Sequence, residues 1–99
     1  MDDVETKIQE EQLRMSVNEI KKMMNAQSAM THLYSAGVID NDDMKRIVLN
    51  AIPSEMVQRL IVDTLIPTLK RDDAFKKLID ALNATEQEHV VTEIQRHGK

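Results

Sequence analysis

Between positions 71 and 82 the apolar residues fall at Ala74, Phe75, Leu78, Ile79 and Leu82, in steps of one, three, one and three. On an α-helix that spacing draws one continuous apolar stripe and leaves Asp72, Lys76, Lys77 and Asp80 toward water. The stretch holds the only Phe of a chain without Trp. It is therefore expected to be a core helix carrying the largest aromatic anchor, with the other elements packed around it. Two Gly and two Pro in 99 residues leave little material for hairpins, and no window sustains alternation of period two. The fold class that follows is all-α.

The remaining segments repeat the helical period. From Glu5 to about Asn25 the apolar positions are Ile8, Leu13, Val17, Ile20 and Met24. The five-residue step from Ile8 to Leu13 interrupts the stripe and predicts a bend or break near Glu10–Gln12. Ala26 to Ser28 reads as a joint with Ser28 as N-cap, followed by a short helix carrying Ala29, Met30, Leu33 and Tyr34. Gly37 closes it, and Val38 and Ile39 should return to the core. Asp40 is expected to cap a third helix whose first turn holds Asp42 and Asp43 and whose buried side is Met44, Ile47, Val48 and Ala51.

Pro53, with Ser54 competing for the cap, opens a fourth helix carrying Met56, Val57, Leu60, Ile61, Thr64 and Leu65, which Pro67 ends or bends. After the helix beginning near Asp72 and stopping at Asn83, Thr85-Glu86-Gln87-Glu88 has the form of a capping box for a last helix with Val90, Val91 and Ile94. A polar tail, Gln95–Lys99, follows. Six helices with short links predict a compact antiparallel bundle, one domain over 1–99 with its core about 5–95.

Composition narrows the function. Cysteine is absent, which excludes disulfides and thiolate metal sites and suits a reducing compartment. No apolar run approaches the ~20 residues of a membrane span, and the first residues are acidic where a signal peptide is basic. A cytoplasmic or nuclear location is expected. A formal charge of −4 argues against general nucleic-acid binding. Reading the third and fourth helices as a helix-turn-helix fails because the recognition helix offers only Arg59 among Glu55 and Asp63.

Signals for catalysis are poor. His32, His89 and His97 lie in three separate segments without metal-ligand spacing, and there is no phosphate loop, no G-x-S-x-G and no Cys nucleophile. Asp40, Asp42 and Asp43 lack the Gly and the twelfth-position Glu of a calcium loop, which leaves an acidic helix start or an acidic recognition patch. The seven Met are scattered over the helices and read as core filling. No enzyme activity, metal or cofactor is expected.

Several segments together resemble a known family. Leu33-Tyr34-Ser35-Ala36-Gly37-Val38-Ile39-Asp40 is similar to the end of helix two and the following turn in caspase recruitment domains (CARDs). Arg59-Leu60-Ile61-Val62-Asp63-Thr64-Leu65-Ile66-Pro67 resembles their fourth helix, and Ala74 to Leu82 their fifth, which reads roughly A-F-x-x-F/L-x-x-A-L. Val90, Val91 and Ile94 stand where the family carries its last leucines. Death domains and death-effector domains are siblings in the same superfamily, and the broken first helix favours the recruitment domain.

The resemblance implies a six-helix Greek-key death fold without catalysis. It also implies homotypic binding to another CARD-containing protein (an initiator caspase, an apoptosome-type scaffold or an adaptor) or to itself, with no nucleic acid or membrane partner. Carried over residue by residue, the acidic face is Asp40, Asp42 and Asp43, and the basic face is Arg14, Lys21 and Arg59. Helix two departs from the family in offering neutral Thr31 and Ala36, and Lys70-Arg71-Asp72-Asp73 occupies the bend where a Gly is usual. The alternative reading is a regulatory helical domain that binds an unrelated amphipathic helix.

Overall fold

Helical periodicity sets the architecture in the computed structural model, which describes residues 2–70 and 73–98, with the side chains of 4–70 and 73–97. The described residues form six α-helices and no strand: α1 (Asp2–Ile20), α2 (Ala26–Ser35), α3 (Asn41–Val48), α4 (Pro53–Gln58), α5 (Ala74–Ala84) and α6 (Glu88–Gln95). Arg71 and Asp72, where the central helix was expected to begin, lie outside the described residues.

Pairing of the helices nests. The first packs along the last, α2 packs against α5, and α3 against α4 with its continuation, while α5 also meets α6. The result is a six-helix bundle with a radius of gyration of 12.2 Å, close to the ~13 Å of a compact 100-residue domain. Leu13, Ile20, Met30, Leu33, Ile47, Leu60, Ile61, Leu65, Leu78, Leu82 and Ile94 are fully buried within it. The core is therefore aliphatic. Phe75 is only half-buried at its edge, and Tyr34 is exposed, so the expected aromatic anchor is replaced by the leucines of α5. Of the described methionines, Met24 and Met30 are buried and Met44 and Met56 pack against the core, whereas Met15 and Met23 face solvent.

The first helix runs without interruption where a bend or break near Glu10–Gln12 was expected. Ile8 does not belong to the core stripe; it is exposed, so no change of register is needed to bring it inward. Ser16 is buried on the core side instead, its hydroxyl donating to the Gln12 carbonyl at 2.7 Å. At α2 the cap is Asn25, whose Oδ1 accepts the Ser28 N–H at 3.1 Å; Ser28 is the third helical residue rather than the cap.

Gly37 ends α2 at φ +82°. The Val38 N–H donates to the Leu33 carbonyl at 3.0 Å and the Gly37 N–H to that of Tyr34 at 3.1 Å, the two bonds of a Schellman motif. Val38 and Ile39 are buried, as their apolar character requires. Helix α5 ends in the same way. The Gln87 N–H reaches the Leu82 carbonyl at 2.7 Å and the Glu86 N–H that of Asn83 at 3.3 Å, with Glu86 at φ +62°. Because α5 extends to Ala84, Thr85 falls at its C-cap, and the Thr85–Glu88 capping box expected for α6 does not form.

Pro53 occupies the first turn of α4, and the Glu55 carboxylate accepts the Ile52 N–H at 3.3 Å. Beyond Gln58 the helix widens into a π-helical segment, Arg59–Leu65, and closes in a 3₁₀ turn, Ile66–Thr68. Pro67 supplies a physical reason: it has no N–H for the Asp63 carbonyl, and its ring would strike that carbonyl in regular α geometry. The Thr68 hydroxyl donates to the Thr64 and Leu65 carbonyls at 3.0 and 3.1 Å, capping the widened end. After α6 the expected polar tail is ordered over its described residues, Lys99 lying outside them. It forms a 3₁₀ turn, Arg96–Gly98, packed on α1, with Glu93 bound to Arg96 at 3.1 Å and 3.4 Å from His97 Nε2.

Candidate interaction site

The acids expected to form a recognition face sit together in the first turn of α3, but they are not equivalent. Asp40 is the N-cap: its Oδ1 accepts the Asp43 N–H at 2.8 Å, and Asp43 Oδ2 accepts the Asp40 N–H at 3.2 Å. This reciprocal box satisfies two amides that the helix itself cannot. Asp43 also accepts from Arg46 Nη2 at 2.8 Å. Partial burial pushes the Asp43 carboxyl up, but the Asp40 amide and the Arg46 guanidinium together outweigh it and hold the group below its ordinary value. Asp42 is exposed and is the one acid of the three whose carboxylate is not engaged in starting the helix.

The basic residues are further apart in character. Arg14 is exposed on α1 and pairs with Glu10 at 2.9 Å across one turn, an arrangement that contributes a few tenths of a kcal/mol. Lys21 is half-buried just past the end of α1, beside a surface recess of about 370 Å³ that Met24, Pro53 and Met56 also line. Arg59 is half-buried and turned onto α3. Its Nη1 donates to the carbonyls of Leu49 at 2.6 Å and of Arg46 and Ile47 at 3.3 Å each. These carbonyls belong to the unsatisfied C-terminal end of α3, where a cation is favoured by the helix dipole. The three cations line three separate recesses, and Arg59 shares its own with Glu55 and Asp63.

Arg46 and Gln87 carry contacts that periodicity does not reveal. Arg46 Nη2 bridges Asp43 and the buried Thr64 hydroxyl at 3.3 Å, tying α3 to the π segment. Gln87 is buried, and its amide clasps the backbone of Asn25. Oε1 accepts the Asn25 N–H at 2.7 Å, and Nε2 donates to the Asn25 carbonyl at 3.2 Å and to Thr85 Oγ1 at 2.8 Å. A buried Gln in the link between two helices is the signal for such a clasp, but its partner lies 62 residues away.

One group of exposed apolar residues lies at the end of α3. Val48 and Ala51 were expected on its buried side, yet α3 ends at Val48 and Leu49 turns extended. The stripe stops there. Val48, Leu49 and Ile52 are exposed, and Ala51 is half-buried. No group of three or more His, Asp or Glu among the described residues is placed to hold a metal ion, and no described helix is long and apolar enough to cross a membrane. His32 and His89 are at the surface. Neither a family model, nor a curated protein, nor a solved structure matches the chain.

Proposed function

We propose that this chain is a caspase recruitment domain: a non-enzymatic module that binds another such domain, or itself, and so gathers caspases or adaptors in the cytoplasm. The observation that supports the reading is the six-helix bundle in which α1 meets α6, α2 meets α5 and α3 meets α4, with α4 also touching α1 and α2, an arrangement compatible with a six-helix Greek key. One landmark of the resemblance supports it: Gly37 adopts a left-handed conformation at the end of α2. The bend before α5 carries Asp73 at φ +51° where the family uses Gly, and α1 is unbroken, so the break that favoured a recruitment domain over its death-fold siblings is not there.

Asp42 is the acidic residue through which such a contact acts most directly, because Asp40 and Asp43 are already engaged. On the basic side, Arg14 is exposed and Lys21 is half-buried, while Arg59 is held by α3. Exposed charges of this kind set register and association rate more than net affinity. Light scattering of the domain, alone and with an initiator caspase's recruitment domain, is expected to show complexes at low salt that weaken at 0.5 M salt, where screening shortens to a few ångströms (about 4 Å). Asp42→Arg should abolish them. Complexes indifferent to both salt and Asp42→Arg would overturn the charged-face mechanism.

A second reading is favoured by Val48, Leu49 and Ile52, whose exposure offers an apolar surface to an unrelated amphipathic helix. In that case Leu49→Asp removes binding and Asp42→Arg leaves it intact.

A further inference from the structure

On α1 a second apolar row stands opposite the core. At about 100° per residue, Val4, Ile8 and Met15 lie roughly 180° round the axis from Leu13, Val17 and Ile20. They are 66%, 48% and 55% exposed. Steps of four and seven place them in one seam, with Glu11 filling the remaining seam position. None of the described residues covers that row.

The flanks of the seam indicate what does. In a heptad with Val4 and Glu11 at d and Ile8 and Met15 at a, the e positions are Glu5, Gln12 and Glu19. The g positions are Lys7 and Arg14, with Lys21 following just past the end of the helix. One edge is acidic or neutral and the other is wholly basic. Parallel helices bring g of one chain beside e of the next heptad on the other, which sets Arg14 against Glu19 of a second copy and Lys7 against its Gln12. Antiparallel helices would set basic edge against basic edge and acid against acid.

We propose that α1 is a self-association surface on which a second copy of this chain docks in parallel, Val4, Ile8 and Met15 forming the seam and Arg14–Glu19 pairs closing both sides by two-fold symmetry. The contact is separate from the acidic face of α3 and does not rest on the proposed recruitment function. It does use Arg14, which must give up its exposed pair with Glu10; that pair is worth little. The seam spans about two heptads and carries one carboxylate, so the dimer belongs to the weak, concentration-dependent class. Glu11 faces its own copy across the two-fold and keeps the association reversible.

Sedimentation equilibrium over a range of protein concentrations tests this. The mass is expected to rise from 11.3 kDa toward twice that value. Ile8→Asp should lose the dimer, and Glu11→Leu should tighten it by at least about tenfold, or ~1.4 kcal/mol. Both positions are at the surface, so unchanged circular dichroism will show that the fold is kept. The decisive arm is a pair of charge reversals. Arg14→Glu and Glu19→Arg each create like-charge contacts in their own homodimers, but mixed together they restore attraction on both sides. Recovery of the dimer only in the mixture supports the parallel seam. A mixture no better than either variant, a dimer that survives Ile8→Asp, or a Glu11→Leu variant still monomeric at about 1 mM would overturn it. Asp42→Arg separates the two surfaces. The α1 dimer persists in that variant, and a self-association that disappears with Asp42 is the α3 contact and refutes the α1 assignment.

Discussion

Two residues with left-handed backbones occupy the same structural place and differ in fitness for it. Gly37 and Glu86 each follow the last turn of a helix, at φ +82° and +62°, and each completes a Schellman motif. A Cβ at Gly37 would meet nothing within 4 Å, so replacement there is opposed by the backbone alone. Gly37→Ala is expected to destabilise by about 1 kcal/mol, and Glu86→Gly to stabilise by a similar amount, since a side chain costs roughly that in the left-handed region. Urea unfolding of both variants checks the pair, and a loss of stability in Glu86→Gly would mean that its side chain makes a compensating contact. Gly37 was legible in the sequence because glycine advertises its conformation. Glu86 was not, because it sits within a Thr-x-x-Glu pattern that equally describes a helix start, and only the true end of α5 at Ala84 decides between them.

At the level of elements, α3 shows how a helix of eight residues is kept. Such a helix is marginal in isolation, and here both ends are held, by the Asp40–Asp43 box and by Arg59 on the last carbonyls. The lowered carboxyl of Asp43 makes the first clamp pH-dependent. A depressed folded value means that the stabilisation is present above the ordinary aspartate pKa, about 3.9, and is lost as pH falls through the folded value. Asp43→Asn should therefore lower stability at neutral pH and flatten the acid limb of the stability–pH curve below about pH 4. An unchanged acid limb would count against the clamp.

Arg59 clamps from outside the helix, so reversing its charge would loosen α3 as well as alter the surface, which makes it a poor probe of a basic face. The links between elements are held as firmly. Gln87→Leu strips the Asn25 amide and carbonyl of their partners and should cost about 2–3 kcal/mol by thermal or urea melting, more than a surface substitution would. Apolar stripes told where the helices lie. They could not tell that Arg46, Arg59 and Gln87 join them, because polar contacts between distant segments leave no period, nor that Ile8 faces outward, since an apolar residue on a helix is silent about which side the bundle takes.

For the whole molecule, nesting brings α1 and α6 together and makes stability and association rest on different forces. The bundle is held by an aliphatic core, while exposed ion pairs such as Arg14–Glu10, Arg46–Asp43 and Arg96–Glu93 join neighbours three or four residues apart. Pairs at this helical spacing contribute about 0.3–0.5 kcal/mol each and are weakened by salt, whereas apolar burial is not. Raising salt to 0.5 M should therefore change the unfolding free energy by no more than about 1 kcal/mol. Over the same range the proposed charged-face complexes should dissociate, because their partners meet across a solvated rim. The α1 seam should respond in between: its Arg14–Glu19 pairs weaken while Val4, Ile8 and Met15 stay buried. Measuring the three responses on one preparation, by urea titration, mixed-partner scattering and sedimentation, sets each process against the force that drives it. A bundle that lost several kcal/mol in salt would show that charge, rather than the core, holds the helices together, and would remove the basis for reading salt-sensitive binding as a surface event.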